Sequence, residues 1–334
     1  MRTAILLLLF GVFLHSSPAG AGEPNTQDLR LNQIQVLATH NSYHLRPPAA
    51  MLKTAISIRK DAKEWDYSRQ TLDQQLDHGA RSFELDLHIS KKGWQVMHVP
   101  VFDPGTTVPL FVDALRTIRD WSDKHPRHVP ISLLLELKEE GFKLNSAFRR
   151  PELADLLQLD ADIRATFPPE RLLTPDDVRG SHKTLWEAVS SDGWPQLSKT
   201  AGKILVILHE TGPNRAAYLD GHPALEGRAM FVESDLGQPH AAVLVRNDPT
   251  DREIGPLARQ GYLVRTRVDG QGNVHAARRE QALASGAHIL TTDYPLGEIE
   301  PERAFALPDR AIARVNPVTG PKDLSGAPIA EPVP

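Results

Sequence analysis

Two histidines and four oxygen-bearing side chains lie within, or just beyond, apolar segments that are typical of β-strands. The first segment, Ile34–Ala38, is followed by His40 and Asn41, and the second, Ser82–His88, is followed by His98. The residues of the set are His40, His98, Asn41, Glu84, Asp86 and Glu136. A βα barrel gathers its catalytic groups at the carboxyl ends of its strands. The pattern therefore predicts one site that is assembled from several strands.

The carboxylates of this set alternate with apolar residues. Successive side chains of a strand point to opposite faces, so Glu84 and Asp86 share one face, and Glu136 and Lys138 share another. Charges inside apolar runs are costly unless they are paired or bind a metal. Oxygen ligands that include the amide of Asn41 favour Ca2+ over Zn2+, with Mg2+ as the alternative. The predicted metal ligands are Asn41, Glu84, Asp86 and Glu136.

The two histidines are not needed as ligands by a hard cation. An unperturbed imidazole has a pKa of about 6.5, so it exchanges protons near neutral pH. His40 and His98 could stabilise the charge of a phosphate and protonate the departing alkoxide, while the metal makes the attacking hydroxyl more acidic. This division of roles predicts metal-assisted cleavage of a phosphodiester, with His40 and His98 as the catalytic residues.

These motifs carry a resemblance to a known family. Thr39–Tyr43, Glu84–Asp86, His98 and Glu136 resemble the catalytic X-half of the Ca2+-dependent phosphatidylinositol-specific phospholipases C, and most closely the bacterial secreted branch. The resemblance implies that His40 and His98 are the catalytic pair and that the four oxygen-bearing residues bind calcium. A single piece of the pattern would be a weak signal, whereas the ordered set is a strong one.

Apolar runs separated by helical patterns predict eight strands, which is the number that a barrel needs. The predicted strands are Ile34–Ala38, Ser82–His88, Ile131–Lys138, Lys203–His209, Ala229–Val232, Ala242–Val245, Tyr262–Arg267 and His288–Thr291. Leu263–Asp269 and Thr291–Pro295 also resemble the last two barrel strands of the same family. The resemblance extends over residues 32–317 and implies an α/β fold, a (β/α)8 TIM barrel of the phospholipase C-like phosphodiesterase type.

Three basic residues near strand ends are predicted to bind the substrate, namely Lys138, Arg265 and Arg267. A guanidinium can bind a phosphate through two parallel hydrogen bonds. The alternative is that these cations only neutralise acidic neighbours, since Arg265 and Arg267 share a face with Asp269. Asp293 is interpreted as a hydrogen-bond anchor of the closing strand, with a role in the site as the alternative.

The 334 residues fit one barrel with insertions. We predict a signal peptide over residues 1–21, from an apolar run that is followed by small residues. A single catalytic barrel is predicted over residues 30–315, and a poorly ordered tail rich in Pro, Gly and Ala over residues 316–334. The long connections Leu45–Asp66 and Phe142–Pro195 are interpreted as insertions that cover the substrate.

Composition excludes several classes of function. A formal net charge of −4 gives no general attraction for nucleic acid. The absence of cysteine excludes disulfides, thiolate metal sites and a cysteine nucleophile. We expect a secreted or periplasmic monomer that acts on a phosphoinositide lipid or a soluble phosphodiester and contacts a membrane surface transiently.

The main hypothesis is a secreted Ca2+-dependent phosphodiesterase that cleaves phosphatidylinositol to diacylglycerol and inositol phosphate, by way of a cyclic inositol phosphate. One alternative is a metal-dependent glycerophosphodiester phosphodiesterase or a sphingomyelinase-D-like enzyme, because those barrels also use two histidines and a Glu-x-Asp pair; Asn41 and Glu136 argue against it. Another is a catalytically silent barrel that binds lipid or sugar headgroups, against which the intact His40 and His98 argue.

Overall fold

The computed structural model describes residues 28–139, 141–270, 274–298 and 301–333. Within these ranges the strands are β1 Ile34–Thr39, β2 Ala80–Ser90, β3 Gly93–Val96, β4 Ile131–Leu137, β5 Phe148–Arg149, β6 Ile204–Leu208, β7 Met230–Val232, β8 Val243–Val245, β9 Leu263–Arg267, β10 Ile289–Thr292, β11 Ala313–Val315 and β12 Pro328–Ile329. The helices are α1 Ala49–Ile58, α2 Leu72–Asp77, α3 Phe111–Lys124, α4 Gly141–Leu144, α5 Leu153–Thr166, α6 Pro175–Arg179, α7 Leu185–Ser191, α8 Leu197–Thr200, α9 Pro213–Leu219, α10 Ile254–Arg259 and α11 Ala276–Ala284.

Eight of these strands form a parallel sheet in the order β7-β6-β4-β2-β1-β10-β9-β8. The two edge strands meet through a parallel bridge between Glu233 and Val243, where the Ser234 amide donates to the Val243 carbonyl at 3.0 Å. The sheet is therefore a nearly closed barrel. All eight predicted strands are present, so the predicted (β/α)8 barrel is confirmed.

The amphipathic helices cover the barrel because their apolar residues recur every three or four positions. In α3, Phe111, Leu115 and Ile118 are fully buried, while Arg116 is exposed on the other face. Burial of each such side chain contributes about 1.5–3 kcal/mol. The barrel strands are apolar on both faces. Helices cover the outer face of a parallel barrel, and side chains fill its interior, so both faces are buried.

The two long connections differ in how they meet the cavity. The connection after β1 forms α1 and a 3-10 helix, Lys60–Trp65, and lines the cavity at the carboxyl ends of the strands, as expected. The second connection departs from the expectation, because none of its described residues lines this cavity. It begins at the carboxyl ends, where β5 pairs with Ile89 and Ser90 of β2, and its α7 packs at the amino ends. There Gly261, just before β9, has a φ of +106°, and a Cβ would lie 2.0 Å from the carbonyl oxygen of Val189 in α7.

The tail after Asn316 was predicted to be poorly ordered, and this was wrong for its described part. β12 pairs with β11, and the side chains of Ile329 and Val333 are buried. Glu331 forms an ion pair with Arg81, a fully buried arginine that needs a counter-charge. The composition of the tail is typical of a flexible segment, but the burial of two apolar side chains and one ion pair holds its described part against the barrel.

The predicted signal peptide, residues 1–21, lies outside the described residues. Among the residues that are described, no helix has the length and apolar character needed to cross a membrane.

Candidate active site

Three carboxylates converge at the carboxyl ends of β2 and β4. Asp86 and Glu136 are partners in the parallel ladder, and Glu84 lies two residues before Asp86 on the same face of β2. One carboxylate oxygen from each of the three residues lies within 4.8 Å of the others. The strand register thus brings together three of the four predicted metal ligands.

Asp86 tests whether this cluster suits a divalent cation. Its side chain is fully buried, and neither carboxylate oxygen receives a well-aligned hydrogen bond from the described residues, although Tyr43 and Lys138 lie close to it. Its nearest cation is the Lys138 ammonium, 3.2 Å from Oδ2 and 2.6 Å from Glu136 Oε1. Burial raises the pKa of Asp86 to about 6; Lys138 opposes this shift and Glu136 adds to it. A buried carboxylate with unused oxygens, beside two others, fits a hard divalent cation.

Glu84 has its own counter-cation. Arg265 Nη2 donates to Glu84 Oε2 at 2.5 Å, and the same guanidinium donates to Thr291 and Asn247. Burial alone would raise the pKa of Glu84, but the electrostatic effects of the neighbouring His40 and Arg265 side chains outweigh it and lower the pKa to about 2. Arg265 was predicted to bind substrate; the structure instead pairs it with Glu84 in a buried position, and neither side chain is among the residues that line the cavity.

His40 is held at one nitrogen by a carboxylate. Its Nδ1 donates to Asp293 Oδ1 at 2.8 Å, and its Nε2 lies 3.4 Å from Glu84 Oε1. Asp293 also accepts from Arg267 Nη2 at 2.8 and 2.6 Å. Burial raises the pKa of Asp293, but His40 and Arg267 outweigh this and hold it well below its usual range. The interpretation of Asp293 as a strand anchor therefore missed its contact with His40.

His98 is held in the same way by a different aspartate. It follows the short strand β3, which pairs antiparallel with the end of β2. Its Nδ1 donates to Asp103 Oδ2 at 2.7 Å, and its ring meets Trp65 edge-on at 5.2 Å. Asp103 also contacts the buried His44. Burial raises the pKa of Asp103, but the hydrogen bonds from His44 and His98 outweigh it and lower that pKa.

The two histidines open into one cavity of about 770 Å3 at the carboxyl ends of the strands. Its lining includes His40, His98, Asn41, Lys138 and Arg267. The backbone of Asn41 is left-handed, with a φ of 45°, which asparagine tolerates better than most residues. Asn41 thus lines the same cavity as the two histidines.

The sequence matches, over residues 29–93 and 88–317, the model of a family described as phosphoinositide phospholipase C, Ca2+-dependent. The chain belongs to this Ca2+-dependent phosphoinositide phospholipase C family. It is therefore a phosphoric diester hydrolase, as predicted, and the suspected family is confirmed. No curated protein matches the chain.

Solved structures with the same fold include two bacterial enzymes. A calcium-dependent phosphoinositol-specific phospholipase C from Pseudomonas sp. is 18% identical, with a TM-score of 0.57, over 88% of this chain and 97% of that one. The same Pseudomonas enzyme is known in complex with myo-inositol, with a TM-score of 0.58. A Ca2+-dependent phosphatidylinositol-specific phospholipase C from Streptomyces antibioticus is 22% identical, with a TM-score of 0.55, over 79% of this chain and 94% of that one.

Within this phospholipase C barrel, one buried arginine connects several loops that the sequence left unassigned. Arg69 donates to the backbone carbonyls of His40 and Asp293 at 2.8–3.1 Å and 2.9 Å. It also pairs with Glu298 at 2.9 Å. Arg69 thus fixes the backbone on both sides of the His40–Asp293 hydrogen bond. Its position in a loop before α2 carries no periodic signal that could have marked it.

Two further histidines lie beside the site. The sequence left two roles open for His88, one in support of the site and one that is purely structural. Its Nε2 lies 3.1 and 3.2 Å from the carbonyl oxygens of Met97 and His98, so His88 supports the loop that carries His98. His209 Nδ1 lies 2.7 Å from Glu233 Oε2. Burial lowers the pKa of His209, but Glu233 and Glu84 outweigh this and raise it.

Proposed function

We propose that this enzyme cleaves phosphatidylinositol in a Ca2+-dependent reaction that releases diacylglycerol and a cyclic inositol phosphate, which water then opens to inositol phosphate. The observation that carries the proposal is the placement of the three-carboxylate cluster beside two histidines that are each anchored by an aspartate. The family and the related bacterial enzymes support the substrate class.

The metal ligands in this proposal are Asn41, Glu84, Asp86 and Glu136. Bound Ca2+ makes a coordinated hydroxyl more acidic and offsets the charge of the phosphate. Among the carboxylates, Glu84 and Glu136 are the two candidates to accept the proton of the inositol 2-hydroxyl. The residue type alone does not separate the roles of ligand and base, because both require an ionised carboxylate.

His98 is the proposed general acid. In the reaction, the inositol 2-oxygen forms a bond to phosphorus, and the bond from phosphorus to the diacylglycerol oxygen breaks. Because Asp103 holds His98 Nδ1, the other nitrogen, Nε2, is free to deliver a proton to the departing oxygen. His40, held at Nδ1 by Asp293, stabilises the charge on the phosphoryl oxygens. Lys138 and Arg267 line the cavity and contact the phosphate or the inositol ring.

We also propose that α1 and the loop after His98 contact the lipid surface during turnover. Ile58 in α1 and Val101 in the loop are 66% and 46% exposed, beside the elements that line the cavity. Lys53 and Lys60 are exposed nearby and can attract anionic headgroups. Ile56→Ser with Ile58→Ser, two exposed residues of α1, should lower hydrolysis of phosphatidylinositol in vesicles but not of a soluble short-chain analogue. Equal rates on vesicles would exclude this contact.

The residues 1–21 are proposed to direct export to the periplasm or the medium. The mature protein recovered from the producing cells should begin close to residue 22, as measured by mass spectrometry of the intact chain. Recovery of the full-length chain from the cytosol would contradict export.

A headgroup-resolved hydrolysis assay tests the function itself. Purified protein is incubated with phosphatidylinositol, a glycerophosphodiester or sphingomyelin, each with Ca2+ and with a chelator. We expect turnover of phosphatidylinositol with Ca2+ and none with chelator, and a cyclic phosphate as the first product in 31P NMR. Preferential turnover of the glycerophosphodiester or of sphingomyelin would favour the alternative enzymes, and no turnover of any substrate would favour the silent barrel.

A further inference from the structure

A second imidazole stands behind the His98–Asp103 hydrogen bond. His44 Nε2 lies 2.8 Å from both carboxylate oxygens of Asp103, and His44 Nδ1 lies 3.1 Å from the carbonyl oxygen of Tyr67. Both His44 and Asp103 are fully buried, and His44 is outside the lining of the cavity. His44 therefore does not touch the cavity itself; it hydrogen-bonds Asp103 and meets the ring of His98 edge-on at 6.1 Å.

The other catalytic histidine rests on an equivalent arrangement. Arg267 Nη2 lies 2.8 and 2.6 Å from the two oxygens of Asp293, the carboxylate that holds His40. Each histidine thus hydrogen-bonds an aspartate whose two oxygens are also held by a second residue. The difference is that Arg267 lines the cavity, where it can contact substrate, whereas His44 is enclosed by protein.

Asp103 also shapes the loop that carries His98. Its backbone pairs with Val99 in both directions, at 2.8 and 3.1 Å, and closes a tight turn. Inside that turn Val101 has a φ of +75°, an unfavourable conformation for a β-branched residue. The hydrogen bonds of the Asp103 side chain are therefore needed to hold the turn, and with it His98, in place.

We infer that His44 is a positioning residue for His98: it fixes the carboxylate of Asp103, which in turn fixes the orientation and the Nδ1 proton of the general acid. A carboxylate behind a catalytic imidazole acts in this way when it is itself held rigidly. This inference rests on the proposed role of His98 in protonating the leaving group.

The test compares His44→Gln, which keeps an N–H close to the position of Nε2, with His44→Leu, which keeps the volume but cannot donate. Each is assayed on phosphatidylinositol and on a nitrophenyl phosphodiester of inositol, whose leaving group needs little protonation. His44→Leu should lower kcat on the lipid by about 10–100-fold, a part of the 10²–10⁴-fold that a general acid contributes. KM should change less than about twofold, because His44 does not touch the cavity. On the nitrophenyl substrate its loss should be small, and His44→Gln should retain most activity on both.

His128→Leu is the matched control. His128 is also buried, and it hydrogen-bonds Ser122 and Val129 just before β4 at the opposite end of the barrel. The His128→Leu substitution should lower the stability of the protein without changing the ratio of its activities on phosphatidylinositol and on the nitrophenyl substrate. In proton NMR of protein labelled with 15N-histidine, the signal of His98 Nδ1–H, assigned by its loss in His98→Ala, should persist in His44→Gln and shift or broaden in His44→Leu.

Equal losses on both substrates, an unchanged kcat, or an unshifted His98 signal in His44→Leu would overturn the inference. If His44→Leu does not fold, the cycle of His44→Asn, whose shorter amide does not reach Asp103, and Asp103→Asn decides it. Losses that do not add would support the shared path, and losses that add would refute it. If the wild-type protein fails to hydrolyse phosphatidylinositol, the proposed function falls, while the NMR comparison still tests the anchoring of His98.

Discussion

Asp86 and Glu136 lie side by side in the ladder of β2 and β4, and the Lys138 ammonium contacts both. Glu84, the third carboxylate, is paired with Arg265. Three carboxylates therefore face two permanently charged side chains, Lys138 and Arg265, with the His40 imidazole also beside Glu84. Asp86 is the most deeply buried of the three carboxylates, and the surplus negative charge is assigned to it. A divalent cation at this point removes the surplus and satisfies the oxygens that receive no well-aligned hydrogen bond.

Asp86→Asn should therefore weaken Ca2+ binding strongly. The loss of a direct ligand should lower the affinity by more than about 10–100-fold, the usual cost of losing an outer-sphere partner. Thermal unfolding of the wild type should shift upward on addition of Ca2+, because the cation binds the folded state, and this shift should be nearly absent in the variant. Glu139→Gln, which changes a partly exposed acid just beyond β4, is the control and should keep both properties. Wild-type affinity in Asp86→Asn, measured by calorimetry, would remove Asp86 from the ligand set.

Arg265→Leu should destabilise the metal-free protein and increase the stabilisation by Ca2+. The substitution leaves Glu84 buried without its partner, which typically costs about 3–5 kcal/mol. Ca2+ should recover more stability in the variant than in the wild type, since it then offers the missing positive charge to Glu84. Denaturant unfolding with and without Ca2+ measures both quantities. A change in KM alone, with wild-type stability, would instead support the original prediction that Arg265 binds substrate.

The sequence was sufficient to predict the barrel because its signals are local. Apolar runs mark the strands, and alternation within β2 places Glu84 and Asp86 on one face before any contact is known. The carboxylate cluster follows from that alternation together with the rule that parallel strands end at the same edge.

The anchors of the two histidines were missed because their pairing depends on loops. Asp103 reaches His98 across a tight turn of five residues, and Asp293 reaches His40 from the loop that follows β10, 253 positions along the chain. Neither distance leaves a periodic pattern. The pairing of Arg265 with Glu84 could not be predicted either, since a strand-end arginine that binds phosphate and one that binds a carboxylate have the same sequence context.

His98→Ala and His40→Ala should both lower turnover of phosphatidylinositol, each by about 10²–10⁴-fold, while leaving Ca2+ binding intact. Their behaviour should separate on the nitrophenyl phosphodiester of inositol, because that leaving group departs as a stable anion. His98→Ala should be partly rescued on it, whereas His40→Ala should not, since the phosphoryl charge still needs stabilisation. Steady-state kinetics on both substrates, with calorimetry to check Ca2+ binding, measures this. Equal losses on both substrates for the two variants would refute the assignment of His98 as the general acid.

Acid should destabilise the fold in part through His288, which is fully buried just before β10. The Val264 amide donates to its Nδ1 at 3.0 Å, and its Nε2 faces the Asn32 carbonyl at 2.9 Å, so the ring is held neutral. Burial lowers its pKa to about 4, against about 6.5 in the unfolded chain. Above pH 6.5 neither state binds the proton. Between pH 6.5 and 4 only the unfolded state does, so stability falls as pH falls, by up to about 1.4 kcal/mol per pH unit.

His288→Asn should flatten this part of the pH dependence. Free energies of unfolding are measured by denaturant titration from pH 4 to pH 7.5 in the wild type and the variant. His182→Gln, at a more exposed histidine paired with Asp192, is the control and should keep the wild-type slope. A slope in His288→Asn that equals the wild-type slope would mean that other groups account for it.

Glu331→Gln should destabilise the protein, although Glu331 lies in the tail only three residues before Pro334. The Glu331 carboxylate accepts from the buried guanidinium of Arg81 and from the Val129 amide, and so connects the tail to the starts of β2 and β4. Removing its charge leaves Arg81 uncompensated, at a typical cost of about 3–5 kcal/mol. Asp113→Asn removes an exposed pair with Arg116 and should change stability by less than about 1 kcal/mol. Because the tail lies at the end of the barrel opposite the cavity, kcat of the folded Glu331→Gln protein should stay at the wild-type value. Wild-type denaturant stability in this variant would mean that the tail is not held by the ion pair.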